Sequence, residues 1–441
     1  TKRAETTNTG FNVVGALTVN GSALAAGVSS DAQNNTVGGT NAGDSFTGTD
    51  AVSNTLFGKD AGTAITSGDQ NTGMGHMALL SITTGGANTA FGYAALGLAT
   101  TGVNNTAIGH TALNICTGSS NTVCGHEAGR YPTTGNSNTF FGKSAGYGNS
   151  SGTTGGSNTA IGVFALNSFT SGSENVAIGE SALEKCKINS HNVAIGYKSF
   201  EELGQNSESG DGNTAIGRRS ARGFRKGNYN TFLGYQAGPY TTTTDTLNYN
   251  TCVGNYAGFV LTSGDNNLLL GHDAGTSSAP SGAITSGSNK VCLGDNNIGD
   301  LYCAVSTINT SDKRDKTDIT NFTHGLSWVN KLNPVSYRWD RRSWYNEYNE
   351  DGSLKTEVTP DGSKKRAGQH IGFLAQDVLA IEQADGYASK KDDMILSQLN
   401  EDDTAYGLRY TSFIPVLVNA IKELSTEVNT LKTKVAALET A

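Results

Sequence analysis

The sequence predicts a multidomain protein: a parallel β-solenoid or β-roll shaft, followed by an α+β domain that ends in a coiled coil. Three observations carry this reading. A pentad Asn-Thr-x-apolar-Gly recurs from Asn35 to about Gly294, and self-similarity at a fixed period is the mark of stacked repeats. Residues 1–310 hold 50 of the 57 Gly but only 14 of the 31 Lys and Arg, so two kinds of structure meet near 310. Residues 412–441 carry apolar side chains at heptad spacing. The expected divisions are a β neck over 1–34, the shaft over 35–310, a mixed core over 311–411 and a helix over 412–441.

Within the neck, FNVVGALTVNGSAL (Phe11 to Leu24) alternates well enough for one or two strands. In the shaft the pentad reads NTLFG from Asn54, NTAFG from Asn88, NTAIG from Asn105, NVAIG from Asn175 and NTFLG from Asn230. Side chains alternate across a strand, so the apolar residue before each glycine (Phe57, Ile108, Ile195) and the Thr or Val two before it are expected to point inward together. The glycine allows a positive φ or a close backbone approach, and stacked asparagines can form a side-chain ladder. A small residue follows three positions on, as at Ala78, Ala95, Ala112 and Ser199. One coil cannot bury its apolar face alone, whereas about fifteen stacked coils can.

Charge and composition exclude several functions. The first part carries 14 basic and 19 acidic residues and the second 17 and 20, so neither offers the basic footprint of a nucleic-acid binder. No apolar run reaches the ~20 residues that span a bilayer, and TKRAETTNTG lacks a signal-peptide core. A soluble chain is expected, and its first residue, Thr1, suits a processed chain or a fragment. Cys116, Cys124, Cys186, Cys252, Cys292 and Cys303 show no metal-ligand or CxxC spacing and read as reduced packing residues. His76, His110, His126 and His272 each follow a repeat glycine. A metal ladder along a trimer axis is one reading of them and a row of exposed polar residues the favoured one, so neither a metal nor a cofactor is expected.

The repeat resembles the left-handed β-roll of trimeric autotransporter adhesin heads, whose strands also run Asn-x-x-Ile-Gly before a small residue. The resemblance covers roughly residues 35–297. It implies three chains side by side, with the recurrent Ala or Ser at a tight contact.

At TSDKRDKTDI, Thr310 to Ile319, the composition changes. Beyond it, an amphipathic helix is expected from about Thr323 to Leu332, then an aromatic strand after Pro334. A short strand near Ile371 and a helix near Ala375 to Ile381 come next. The last helix begins near Ser412. Its Leu417, Ile421, Leu424, Val428, Leu431, Val435 and Leu438 step alternately by four and three, the seam of a parallel coiled coil. Four motifs stand in order: SDKRDKTDI, LNPVSYRW, GFLAQDV and YTSFIPVLVNAIKEL. In that order they resemble the C-terminal intramolecular chaperone domain of endosialidase-type phage tailspikes and tail fibres, over Ser311 to about Leu438. The resemblance implies a domain that trimerises, guides folding of the fibre ahead of it and then cuts itself off between Thr310 and Ser311. It makes Ser311 the nucleophile and Lys316 its activating partner, with Asp312 and Arg314 pinning the loop. The chemistry is coherent: a serine hydroxyl needs a base, and a lysine serves when desolvation or nearby cations favour its neutral form. Without the four motifs, a Ser and a Lys five apart in a charged run read as a solvated linker.

The expectation is therefore a homotrimeric phage tail fibre or tailspike component, assembled in the host cytoplasm and carried in the virion. Its partners would be a host-surface receptor, a glycan, and other tail proteins at the N-terminus, with no nucleic acid and no membrane insertion. The alternative is a surface adhesin that retains its chaperone uncleaved. A glycan-degrading spike is disfavoured, because hydrolysis needs two carboxylates about 5 to 10 Å apart across a cleft, and acidic residues in the shaft are sparse and out of repeat register.

Overall fold

The structure is a computed structural model that describes residues 6–7, 10–11, 18–19, 22–23, 28–150, 152–205, 209–240, 246–298, 301, 311–345, 347–348, 354–356, 358–400 and 403–440. A long parallel β-solenoid is followed by a small C-terminal domain with a long helix. The chain divides into two compact units: Thr1–Asn255 with Thr262–Asn267, and Tyr256–Leu261 with Leu268–Ala441.

In the first unit, most of the expected neck lies outside the described residues. Thr6–Thr7 pairs with Gly10–Phe11 and Thr18–Val19 with Ser22–Ala23, both antiparallel. Three-residue strands then run from Thr36–Gly38 to Thr251–Val253, one per coil. Each pairs in parallel and in register with the next, so Thr72 faces Thr89 and Thr106 faces Thr122. Longer repeats keep the register, as where Val193 faces Thr214, because their extra residues fall in loops.

The strands face the opposite way from the expectation. From the second coil on, the middle residue of the pentad is buried, as at Leu56, Ala107, Val123, Phe140 and Ala177. The apolar residue before the glycine points out, leaving Phe91 54%, Ile108 41%, Phe141 51% and Leu233 42% exposed. The period of alternation holds and its phase is reversed, because three interior columns outside the strand complete the core, one of them Leu79, Leu96, Leu113 and Leu183. Another holds Ala78, Ala95, Ala112 and Ala128, so the recurrent small residue packs inside its own coil; the third holds Ile65, Ile82, Cys116, Phe169 and Cys186.

The pentad's asparagines and glycines account for coil stacking. Asn105 donates from its backbone N and its Nδ2 to Asn88 Oδ1, at 3.0 and 3.2 Å, and its Nδ2 also reaches the Gly118 carbonyl at 3.0 Å. Asn121 repeats this on Asn105, and Asn138 on Asn121, forming a fully buried ladder. Gly109 has φ +135°, and a Cβ there would lie 2.4 Å from the Gly125 carbonyl oxygen of the next coil. Met77, Leu79, Ala94 and Leu96 also sit at positive φ, a conformation that costs roughly 1 kcal/mol each. Hydrogen bonds between coils hold them there, among them Ala94 N to His76 O and Leu96 N to Ala112 O, both 3.0 Å.

The second unit contains the parallel strands Leu268–Leu270 and Val291–Leu293 and the globular domain. Helices α1 (Leu326–Val329), α2 (Ala375–Ala384) and α3 (Phe413–Glu439) alternate with short antiparallel pairs, Val335–Tyr337 with His370–Gly372 and Ser397–Leu399 with Tyr406–Leu408. Trp328, Val378, Ile381, Leu396, Phe413 and Val416 form the core. The helix expected over 323–332 shortens to the four residues of α1. Its approach segment is captured by α3, where Asn419 Nδ2 donates to the Phe322 carbonyl (2.7 Å) and Glu423 Oε2 accepts from Leu326 N (2.8 Å). Among the described residues, no helix is long and apolar enough to cross a membrane.

Candidate functional site

The charged segment folds into a tight turn. A 3-10 turn over Lys313–Asp315 is capped by Asp312, whose Oδ1 accepts from Arg314 N at 2.9 Å. The Arg314 guanidinium returns to the same carboxylate through Nε at 3.1 Å and Nη2 at 2.6 Å. These bonds hold the Asp312 carboxyl below its ordinary range, Arg314's side chain acting most strongly and its backbone N–H next. Lys316 N donates to the Lys313 carbonyl at 3.3 Å and closes the turn.

This turn brings Ser311 and Lys316 together across their five-residue separation. Lys316 Nζ lies 2.6 Å from Ser311 Oγ, and both side chains are exposed. The contact suits proton exchange between a nucleophile and a base. A protonated amine donates to the hydroxyl, and an unprotonated one can take its proton. Asp312 and Arg314 touch each other and neither of the pair. Thr310, on the other side of the expected scissile bond, lies outside the described residues.

The seven seam residues lie along α3 with their side chains exposed, from 46% at Leu417 and Val428 to 77% at Leu438. On the shaft, the residues after the repeat glycines form a ring stack rather than independent side chains. His76 meets Tyr93 edge-on at 5.4 Å, and Tyr93, His110 and His126 stack at 5.0 Å steps. His272 stands apart from them, its Nδ1 3.2 Å from Asp295 Oδ2 and 3.6 Å from Asp273 Oδ2. Cys116, Cys186 and Cys252 are free and buried; burial pushes the first two thiols up to about 11 and about 12, where they are inert. Cys303 lies outside the described residues.

Two groups of residues escaped the sequence reading. Arg341 Nη1 donates to the carbonyl and Oδ1 of Asn296 (3.1 and 2.8 Å), Trp344 Nε1 to the same carbonyl (3.2 Å) and Arg366 Nη2 to the Asn297 carbonyl (2.8 Å). Arg341 lies over the Trp339 ring and Arg366 over Trp344. Within this unit the globular domain thus grips the turn that follows Val291–Leu293. Interleaved Arg and Trp over 338–344 were the available signal. The second group is centred on Glu382, fully buried on α2, which accepts from the backbone N–H groups of Ile395, Leu396 and Ser397 and from the Ser397 hydroxyl. A glutamate four residues after Val378, on the core face of α2, was its only sequence trace.

Residues 311–387 match the family model described as chaperone of endosialidase, a peptidase family. The match begins at Ser311 and supports an endosialidase-type chaperone domain there, in a family of autoproteolytic peptidases. No curated protein and no solved structure matches the chain.

Proposed function

We propose that this chain is a homotrimeric tail fibre or tailspike component of a phage-type virion, whose C-terminal domain trimerises, assists folding of the shaft and then releases itself between Thr310 and Ser311. The observation that carries the reading is the 2.6 Å contact between Ser311 and Lys316, placed where the chaperone match begins. Ser311 Oγ attacks the Thr310 carbonyl carbon while Lys316 Nζ takes the hydroxyl proton. The C–N bond breaks as the Ser311 amine is protonated, leaving an ester, and water opens that ester to a Thr310 carboxylate and a free hydroxyl. Desolvation on assembly favours the neutral amine that this step needs, which makes the cut a late step.

Trimerisation is supported by two unpartnered apolar rows. One is the α3 seam. The other runs along the shaft through Met74, Phe91, Ile108, Phe141, Ile161 and Leu233, each between 41% and 54% exposed. An apolar row of this length costs solubility unless covered, and two further copies carry the matching row. In this reading the shaft serves host-surface attachment, with a glycan as receptor and other tail proteins at its N-terminal end.

Denaturing electrophoresis tests the cut. The folded chain should run as fragments of 310 and 131 residues, and Ser311→Ala as one band. Lys316→Gln should slow the reaction by about 10²- to 10⁴-fold, the usual worth of a general base. An uncut wild-type chain under folding conditions would overturn cleavage and favour the second reading, an adhesin that keeps its chaperone.

A further inference from the structure

We infer that His272, Asp273 and Asp295 form a binding site for one divalent transition-metal ion, at the end of the solenoid where the globular domain holds it. The three residues arise from the coil repeat itself. His272 follows Gly271 and Asp295 follows Gly294, so they occupy the same position in successive coils, one above the other, and Asp273 is the next residue along. One ligand atom from each lies within 4.8 Å of the others, close enough for a single ion to draw all three in. The side chains of Asp273 and Asp295 are mostly buried, and His272 is more open. They line a cavity of about 470 Å³ whose other walls include Ser278, Asn296, Trp344 and Arg366.

Two neighbouring carboxylates sit in one cavity, and among the described residues only His272 comes within ion-pair distance of either. Asp295 is otherwise served by Asn297, through its N–H at 2.8 Å and Nδ2 at 2.9 Å. The Asp273 carboxylate accepts no hydrogen bond among the described residues, and its side chain stays 23% exposed. The cations lining the cavity have other partners, and Arg341 acts on Asp295 only through its field. Lys364 Nζ donates to the Trp344 carbonyl and lies over the Tyr345 ring, while Arg366 is committed to the Asn297 carbonyl and the Trp344 ring. A divalent ion would neutralise the pair without moving any of them.

The donor set selects the class of ion. One imidazole nitrogen with two carboxylate oxygens suits manganese, cobalt or zinc, whereas calcium and magnesium prefer all-oxygen shells. Three protein ligands leave positions for water. Such an ion would tie the turn at 271–273 to the turn at 294–295, immediately before Asn296 and Asn297, which Arg341, Trp344 and Arg366 grasp. It would thus stiffen the seat on which the globular domain rests.

The test uses the full chain carrying Ser311→Ala, so that the two parts stay joined, and cobalt(II) as probe, read by its visible absorption. One site per chain is expected, abolished by His272→Ala and by Asp273→Asn and retained in His126→Ala, which controls for histidines elsewhere on the shaft. Cobalt should raise the melting temperature of the parent by several degrees and leave Asp273→Asn unchanged, since only a bound ligand shifts the folding equilibrium. In EDTA the order should reverse or level, with Asp273→Asn melting no lower than the parent because a like charge has been removed. Binding that survives both substitutions, absence of a site at 100-fold molar excess of cobalt, or an Asp273→Asn chain that melts lower in EDTA would each overturn the inference.

Discussion

Gly109 and Asn105 show how single residues set the coil. An alanine at 109 would place its Cβ 2.4 Å from a backbone oxygen at φ +135°, and neither the clash nor the dihedral can relax without separating two coils. Gly109→Ala is expected to cost more than about 3 kcal/mol, visible as a collapse in soluble yield. Asn105→Ala removes the acceptor of the Asn121 N–H and leaves Gly118 O with only the weak Cys116 thiol as donor. Stranding buried polar groups costs roughly 1–3 kcal/mol each, so a loss of about 2–4 kcal/mol in denaturant titration is expected. Glu201 offers a pH test. Burial pushes its carboxyl up, but bonds from Lys198 (2.8 Å) and Arg222 (2.6 Å) outweigh burial and hold it below the ordinary 4.5. A depressed carboxyl stabilises the fold above its unfolded value and loses that contribution as pH falls through its folded one. The melting-temperature gap between wild type and Glu201→Gln should therefore be full at pH 7 and shrink steadily below pH 4.5. A gap that is constant with pH would contradict the ion pairs. Glycine and asparagine were legible in the pentad because each has one physical use there. Glu382 was not, because its partners, Ile395 to Ser397, lie in a separate segment that leads into the strand Ser397–Leu399.

Among the elements, α3 carries two duties. Its first half packs Phe413, Val416 and Ala420 into the domain and clamps the segment before α1 through Asn419 and Glu423. Its second half leaves the apolar row Leu424, Val428, Leu431, Val435 and Leu438 exposed. Leu424→Asp with Leu431→Asp should leave the domain folded by circular dichroism but convert a trimer to a monomer in sedimentation; a trimer that persists would move the assembly interface elsewhere. Heptad spacing made an exposed apolar row on this helix readable without any structure. The strand phase was not readable in that way. A three-residue strand alternates too briefly to say which face is inside, and Ala at its centre, as in Ala107 or Ala177, looked less like core than Ile at its end.

For the whole molecule, parallel stacking is non-local, slow to form and exposed to aggregation while it forms. The shaft expressed without residues 311–441 should therefore accumulate as aggregate, whereas a shaft matured by cleavage should resist denaturant and fail to refold once unfolded, its persistence being kinetic. Soluble recovery before and after a denaturation cycle measures both; a truncated shaft that folds freely would remove the need for a chaperone. From its sequence alone this protein was legible as a repeat shaft followed by a chaperone-like C-terminal domain, because periodicity and motif order are local properties of the chain. Only the tertiary structure decided which side of the strand faces in, that Lys316 reaches Ser311 across a capped turn, and that His272, Asp273 and Asp295 meet. Each of these depends on how separate segments stack or turn back, and side-chain distances across a coil or a turn are not written in residue order.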